Sequence, residues 1–458
     1  MNERFEIVQK EILEFLDKKQ YAAVREILLE MNPADIAFVL SDTDEEQIPL
    51  LFRLLPKELA AESFVEMEPE EQQLLIQSFS DKELKQIVDE LYVDDAADLV
   101  EEMPANVVQR ILRQATPTMR SSINQILRYP ENSAGSIMTT EYVNLRPDMT
   151  VEESILRIRK QGVDKETIYT CYVTKNRTLV GMVSVKDLLL CSDDETKISE
   201  IMEENVIFVD TYTDQEEVAR MLSHYNFLAL PVVDQENRMV GIVTFDDAMD
   251  VLEDETTEDI EIMGGMLPSE RTYLKSSAFE LFKNRIPWLL LLMLSATFTG
   301  MIISAFEGAL AAQAVLIAFI PMLMGTGGNS GSQSSVTIIR ALSLDELELS
   351  DLPVIIWKEI RTAVLCGLAL AVACFAKIWL VDRLLLGNED INLLVNAVVC
   401  LALFATVLVA KLVGALLPLG AKALKLDPAV MASPFITSIV DALSLLLYFL
   451  FARMLLGV

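Results

Sequence analysis

A single histidine, His224, stands among 458 residues. That scarcity excludes His-rich zinc or copper sites and any catalytic arrangement needing two imidazoles. The five cysteines (Cys171, Cys191, Cys366, Cys374 and Cys400) form no CxxC pair and no disulfide-framework spacing. They read as reduced or buried thiols. Positive charge is also short, with 37 Lys+Arg against 69 Asp+Glu and a net charge of -32. An acidic surface of that kind repels nucleic acid and attracts cations, so no nucleic-acid partner is expected. The opening MNERFEIVQK lacks an apolar h-region, and no cleaved signal is expected.

Apolar residues are plentiful: 52% of the chain is hydrophobic and the mean hydropathy is +0.34. Such values conflict with the charge unless the chain is divided. Residues 271–458 hold 13 Lys+Arg and 12 Asp+Glu, so subtraction from the totals leaves 24 and 57 in residues 1–270. The front is a strongly acidic soluble region and the back is apolar. The length leaves room for two to four domains.

Five apolar stretches follow Arg285, near 286–306, 309–340, 362–386, 391–417 and 429–456. Each is long enough, or nearly so, to cross about 30 Å of hydrocarbon. Lys275, Lys283, Arg285, Arg340, Lys358, Arg361, Lys422 and Lys425 flank one side of these crossings, against only Arg383 and Arg453 on the other. By the positive-inside rule the N-terminus is cytoplasmic and the C-terminus outside the cell membrane.

The last crossing carries a carboxylate, Asp441, near its midpoint. Pro434, Thr437, Ser438, Asp441, Ser444 and Tyr448 recur at spacings of three and four and form one polar stripe. A carboxylate there costs about 2.5–3.5 kcal/mol on insertion scales, so something must offset it. Three readings offer that offset: a cation in a watery pore, an ion pair with Lys411 or Lys377, or a protonated, hydrogen-bonded acid. The pore reading is preferred. The second crossing stops being apolar at Met324 and continues GTGGNSGSQ. Gly325, Gly327, Gly328 and Gly331 permit positive φ and close backbone approach, while Asn329 and Gln333 add amide oxygens. A pore-lining bend is expected over a plain helix-packing patch, because the segment is polar as well as small. No Lys follows these glycines and Ser330 breaks GxGxxG, so nucleotide-phosphate motifs are excluded.

In the soluble half, short helical signals start at Asn32, Pro56, Ser80 and Pro104, the last three 24 apart, with others half-way at Thr43, Glu68 and Val93. That period predicts a stack of short helices. Asp94 and Asp98 share a helix face, as a solvated stripe or a divalent-cation contact. A second repeat follows: IMTTEYVNLRPDMTVEESILRIRKQG matches IMEENVIFVDTYTDQEEVARMLSHYN, and strands ending VGMVSVKD and VGIVTFDD match each other. These copies resemble a tandem pair of CBS domains, which implies dimer formation and, with less support from this acidic surface, an adenine nucleotide such as ATP. The acid run Asp246–Gly265 reads as solvated or disordered by its own repulsion. PSERTYLKSSAFELFKNR after it reads as an amphipathic helix at the membrane face.

Taken in order, these parts resemble the MgtE family of magnesium channels, most specifically through GTGGNSGSQ, LDPAVMASP and SIVDALSLLLY. The expected fold is multidomain: an α-helical repeat domain (1–130), α/β tandem CBS domains (131–256, as 137–200 and 201–256), a linking helix (257–285) and an all-α five-helix transmembrane domain (286–458). The resemblance implies a homodimer in lipid with one pore on its two-fold axis, importing Mg²⁺ down its gradient. Asp441 matches the family's pore aspartate, and Gly328, Asn329 and Thr437 fall with it. The resemblance further implies regulatory Mg²⁺ on cytoplasmic acids that closes the pore. The matching positions are Asp94 and Asp98; Asp214, Glu216, Asp247, Asp250 and Glu255; Glu258 and Asp259; and Asp427. Asn226 departs from relatives that carry an acid there. The oxygen-only chemistry suits Mg²⁺, which dehydrates reluctantly. Rival readings are an ion-coupled transporter of Mg²⁺, Co²⁺ or Mn²⁺ and a non-conducting membrane sensor. An enzyme is not expected, and a chloride channel fails because Asp441 would repel anions.

Overall fold

The computed structural model describes residues 2–269, 273, 276–344, 346–388, 390–431 and 433–457. Lys275, one of the flanking cations, lies outside the described residues. The chain divides into two compact units, residues 1–253 and 254–458.

The first unit opens with ten helices: α1 (Asn2–Asp17), α2 (Tyr21–Leu28), α3 (Pro33–Ser41), α4 (Ile48–Phe52), α5 (Lys57–Val65), α6 (Pro69–Ser78), α7 (Asp81–Val88), α8 (Val93–Glu102), α9 (Ala105–Gln114) and α10 (Pro117–Ile126). The 24-residue period appears as caps. Asn32, Pro56, Ser80 and Pro104 are the N-cap residues of α3, α5, α7 and α9. Ser80 and Glu83 close a full capping box, satisfying two helix-end donors reciprocally. Each helix is too short to be stable alone, so the stack holds through one continuous apolar core from Ile12 to Ile126.

Two α/β copies follow. The first comprises β1 (Tyr142–Leu145), α11 (Val151–Gln161), β2 (Thr167–Lys175), β3 (Thr178–Ser184), α12 (Val185–Leu190) and α13 (Ile198–Ile201). The second comprises β4 (Val209–Asp210), α14 (Gln215–Tyr225), β5 (Ala229–Val233), β6 (Met239–Thr244) and α15 (Phe245–Met263). Both sheets have a parallel pair followed by an antiparallel one, in orders β1-β2-β3 and β4-β5-β6. The two VGxV glycines have a packing role. A Cβ on Gly181 would meet Met202 Sδ at 2.7 Å, and one on Gly241 would meet Met138 Sδ at 2.7 Å. The acid run is not disordered: it is the body of α15, which starts in the first unit and ends in the second. Helix formation is cooperative, and an apolar face including Ala248 and Val251 anchors its start.

In the second unit the end of α15 is docked, with Ile262 and Met263 packed against Ile339 and Ala429. Gly265 turns the chain at φ +71 beside Pro434, a conformation glycine adopts without steric cost. Then come α16 (Ala278–Ala305), α17 (Glu307–Ala312), α18 (Ile320–Ser343), α19 (Leu352–Lys377), α20 (Leu393–Ala423) and α21 (Ser433–Leu456). The expected amphipathic helix falls partly outside the described residues, and its last part, from Ala278, is the start of α16. Ser277 caps α16, which runs unbroken into the first apolar stretch, and residues 270–272, 274 and 275 are outside the description. Five helical segments (Ala278–Ala305, Ala314–Ser343, Leu349–Leu385, Leu393–Ala423 and Pro428–Leu456) are long and apolar enough to cross a membrane.

The expected bend in the second crossing is absent. α18 is continuous through the glycines, and none of Gly325, Gly327, Gly328 or Gly331 has positive φ. The glycines serve close approach instead, as in membrane helix contacts generally. A Cβ at Gly327 would meet Thr406 and Ser444, at Gly328 Thr437, and at Gly331 Ile436. Gly414 of α20 is tightest, since its Cβ would stand 2.2 Å from the Gly331 carbonyl oxygen. Backbone cannot rotate away as a side chain can. Gly414→Ala is therefore expected to lower stability in detergent by about 3 kcal/mol, at the upper end of overpacking costs. A melting temperature equal to that of the parent protein would contradict this packing.

Candidate cation sites

On α21, Thr437 and Asp441 lie four residues apart and so share a helix face. Thr437 packs on Gly328 of α18. Asp441 is half-buried, and among the described residues no hydrogen bond or ion pair reaches its carboxylate. The ion-pair reading for it is overturned. Lys377 binds Asp382 at 2.8 Å. Lys411, only 5% exposed, donates to Ser334 Oγ at 3.4 Å, and Ser334 donates to Glu359 at 2.7 Å. Both lysines are engaged elsewhere, so among the described residues Asp441 has no side-chain partner. The rest of the stripe turns inward: Ser444 donates to the Val440 carbonyl and Tyr448 to that of Leu316. Asn329 and Gln333, one turn apart on α18, are exposed, and no hydrogen bond ties either side chain among the described residues. Exposed amides on a membrane helix require water or a second polar surface.

A second group gathers in the first unit. Asp94, 7% exposed, lies on α8 with Asp95 and Asp98. Asp247 stands in the first turn of α15, held by the Thr244 hydroxyl. Glu166 and Glu141 of the first α/β copy join them, and Glu141 accepts from the Val93 N–H at 3.1 Å. Burial and then mutual repulsion push these acids up: Asp94 well above the usual range, Asp95 to about 7, Glu166 to about 8 and Asp247 to about 6. Asp94 Oδ1 and Glu166 Oε2 are buried with no hydrogen-bond partner among the described residues. Buried orphan carboxylate oxygens are costly, and a divalent cation is the partner that relieves several at once. Asp250 is exposed and raises Glu66 across the same unit, after burial.

A third group lies in the second unit. Glu258 and Asp259 on α15 feel Glu255 and Asp427, and burial followed by Asp427 pushes Asp259 up to about 6. Asp427 also accepts from the Ala429 N–H at 2.7 Å. Asp214 and Glu216 stand apart from these groups in local roles: Asp214 caps α14 and Glu216 pairs with Arg220 at 3.3 Å. Among the described residues, no three such side chains converge tightly enough to hold a metal ion. The acids are therefore gathered but not closed around a point.

Sequence reasoning missed Asp95, Glu166, Glu141 and Glu66. Asp95 was readable beside Asp94, but Glu166 and Glu141 gave no signal because only tertiary folding brings their strands to α8. A largely apolar cleft in the first unit is lined by residues that include Thr170, Ser184, Asp187, Glu203, Phe227 and Pro231. Asp187 accepts from Ser184 as Asp247 does from Thr244, so the two copies are matched here.

Comparison with known proteins agrees with this layout. Residues 31–132 match the MgtE intracellular N domain, 134–193 and 198–254 the CBS domain, and 320–451 a family described as divalent cation transporter. The magnesium transporter MgtE of Thermus thermophilus is 38% identical, covering 100% of this chain and 99% of its own. That of Bacillus subtilis is 33% identical, covering 93% and 92%. A crystal structure of the cytosolic domain of the Mg²⁺ channel MgtE in complex with ATP shares 40% identity at a TM-score of 0.51, covering 53% of this chain and 99% of that one. The chain is a multi-pass membrane protein with a helical N domain and a CBS pair, and it belongs to the MgtE family of magnesium transporters.

Proposed function

We propose that this chain is a Mg²⁺-selective channel that admits magnesium to the cytoplasm down its electrochemical gradient and closes when cytoplasmic Mg²⁺ binds its acids. The observation that carries the reading is Asp441, a membrane carboxylate with no partner among the described residues, beside a glycine-packed helix that exposes Asn329 and Gln333. Two copies of the chain in lipid, facing across a two-fold axis, bring two Asp441 carboxylates to one hydrated divalent ion. Gly328 sets the approach of Thr437, and Asn329 offers its amide to the ion's water shell. Mg²⁺ retains several waters, so outer-sphere contacts of this kind suit it. The N-terminus is cytoplasmic and the C-terminus outside.

The gate rests on the two acid groups. Without Mg²⁺, Asp94, Asp95, Asp98, Glu166 and Asp247 repel one another, as do Glu255, Glu258, Asp259 and Asp427. Cytoplasmic Mg²⁺ bridges them and favours a compact closed form, limited by its differential affinity for the two states. Because α15 ends docked near Ala429 and Pro434, a movement of α15 is passed to the foot of α21. Asp214 and Asp250, which are exposed, and Glu216, which is half-buried, supply weaker sites. Uptake of Mg²⁺ by proteoliposomes holding the purified chain tests the transport itself. Flux indistinguishable from empty liposomes would reject it.

The cleft at Asp187 takes an adenine nucleotide, as the ATP complex of the solved relative suggests. Its counterpart at Asp247 faces Asp94, Asp95 and Glu166, whose charges repel phosphate. One ATP per chain is therefore expected in calorimetric titration of the full protein, with Asp187→Ala weakening binding at least about tenfold, or 1.4 kcal/mol. Two equivalents, or an Asp187→Ala variant that binds normally, would overturn this assignment.

A further inference from the structure

The turn joining β2 to β3 is Asn176–Arg177, with both residues in the left-handed region at φ +54 and +71. Two-residue hairpin loops of this kind favour glycine at the second position, and an arginine there carries a conformational cost. Backbone bonds to the second copy hold it in place. The Met239 N–H donates to the Arg177 carbonyl at 2.9 Å, and the Leu179 N–H to that of Asn237 at 3.4 Å. In the second copy the turn arginine, Arg238, is ion-paired with Asp234 at 2.8 Å and Glu236 at 3.2 Å. No ion pair reaches Arg177 among the described residues. It lines instead a cavity of about 280 Å³ with Ser122, Gln125, Tyr142, Asn144 and Thr174, and no Asp or Glu among the described residues lines it. Ser122 and Gln125 belong to α10, within a stretch from Pro104 to Pro130 that holds four Arg and no Asp or Glu. In so acidic a chain this is a local reversal of charge.

We propose that this cavity binds a small phosphate monoester, with the Arg177 guanidinium gripping the phosphate. Such a ligand brings close to two negative charges and three strong acceptor oxygens. The cavity answers with one planar fork and a set of neutral donors. Thr174, 6% exposed, donates its hydroxyl to Asn144 Oδ1 at 2.9 Å, which leaves the Asn144 NH₂ free to donate. The Tyr142 hydroxyl donates to the Met239 carbonyl at 3.5 Å, a bond long enough to be given up for a charged acceptor. Burial pushes that phenol up and the Arg177 charge draws it part of the way back, so it stays a protonated donor at neutral pH. Ser122 and Gln125 add a hydroxyl and an amide. A carboxylate would leave several of these donors idle. The volume is at the small end of ligand sites, which suits a triose- or pentose-sized body against Met239 and Val240 and not a nucleoside triphosphate. No residue lines both this cavity and the Asp187 cleft. A bound monoester ties α10 to both α/β copies.

The test is calorimetric titration of the full-length protein in detergent, free of Mg²⁺, with inorganic phosphate and with glycerol 3-phosphate. Wild type is expected to bind one equivalent of either per chain, the monoester more tightly. Arg177→Gln weakens binding at least about tenfold, equivalent to 1.4 kcal/mol. Arg177→Gly guards against misfolding as an explanation, because glycine suits φ +71. It is expected to melt no lower than the parent protein and to lose binding at least as fully. Asn144→Asp keeps the size, adds a charge of the wrong sign and weakens binding by a similar factor. Arg238→Gln leaves binding unchanged, as does saturation of the Asp187 cleft with ATP. No binding of either phosphate, normal binding in both Arg177 variants, displacement by ATP, or a preference for citrate over both phosphates would overturn the site. The readout is independent of Mg²⁺ flux, so failure here and failure of the channel reading are distinguishable.

Discussion

Asp441→Ala is expected to reduce Mg²⁺ flux through the reconstituted protein by at least about 100-fold, the factor that 2.7 kcal/mol commands. The electrostatic gain at risk is larger than that. At about 4 Å and an effective dielectric near 20, a unit charge pair gains about 4 kcal/mol, and a divalent ion about twice as much. Two facing carboxylates double the count, and the ion's lost hydration takes back part of it. The same arithmetic makes the site prefer a divalent ion over K⁺ or Na⁺. Asp441→Glu keeps the charge and is expected to retain flux with altered preference among Mg²⁺, Co²⁺ and Mn²⁺. Because Asp441 has no partner among the described residues, and Lys377 and Lys411 bind elsewhere, removing it leaves neither lysine unpaired. A loss of flux therefore reports the ion pathway and not a broken ion pair. Undiminished flux in Asp441→Ala would remove this residue from the pathway.

Asp94→Asn combined with Asp247→Asn is expected to raise the cytoplasmic Mg²⁺ concentration that half-closes the channel by at least about tenfold, equivalent to 1.4 kcal/mol. These positions hold the crowded carboxylates of the first unit, and Asp94 Oδ1 is buried with no hydrogen-bond partner among the described residues. Neutral amides relieve the repulsion that Mg²⁺ otherwise relieves, so less is gained on binding. Protons compete for the same oxygens. Asp95 near 7, Glu166 near 8 and Asp247 near 6 take up protons as pH falls from 8 to 6. Their unfolded counterparts stay ionised down to about 4. The cluster's stabilising contribution is thus full below about 4 and lost as pH rises through 6 to 8. In the absence of Mg²⁺, the first unit should melt higher at pH 6 than at pH 8. The half-closing Mg²⁺ concentration should rise over the same fall in pH, because protons hold the sites. A pH-independent closure would argue against these acids as the sensor.

Much of the architecture was legible because it rests on local chemistry. Cap residues at Asn32, Pro56, Ser80 and Pro104 mark helix starts without any knowledge of packing. The repeated VGxV strands carry the CBS pair for the same reason. Where tertiary contacts decide, the reading failed. Gly325 to Gly331 look like a backbone break, yet Thr406, Ile436, Thr437 and Ser444 from other helices explain three of the four glycines as contacts within an intact helix. Lys411 was, with Lys377, the alternative to the preferred pore reading of Asp441, and only the structure shows that it reaches Glu359 through Ser334. The acid run read as solvated or disordered; many of its acids are exposed, but docking of Ile262 and Met263 against Ile339 and Ala429 holds the end of its helix. Glu166 was invisible because its charge matters only beside α8.

The most direct measurement is single-channel recording of the purified protein in a planar bilayer, with Mg²⁺ titrated on one face at a time. Unitary Mg²⁺ currents are expected, with open probability falling as Mg²⁺ rises on the face bearing the acidic N domain and unit conductance unchanged by that closure. Smooth, saturating flux without unitary steps, or closure driven equally from either face, would contradict an ion pathway at Asp441 gated by the cytoplasmic carboxylates.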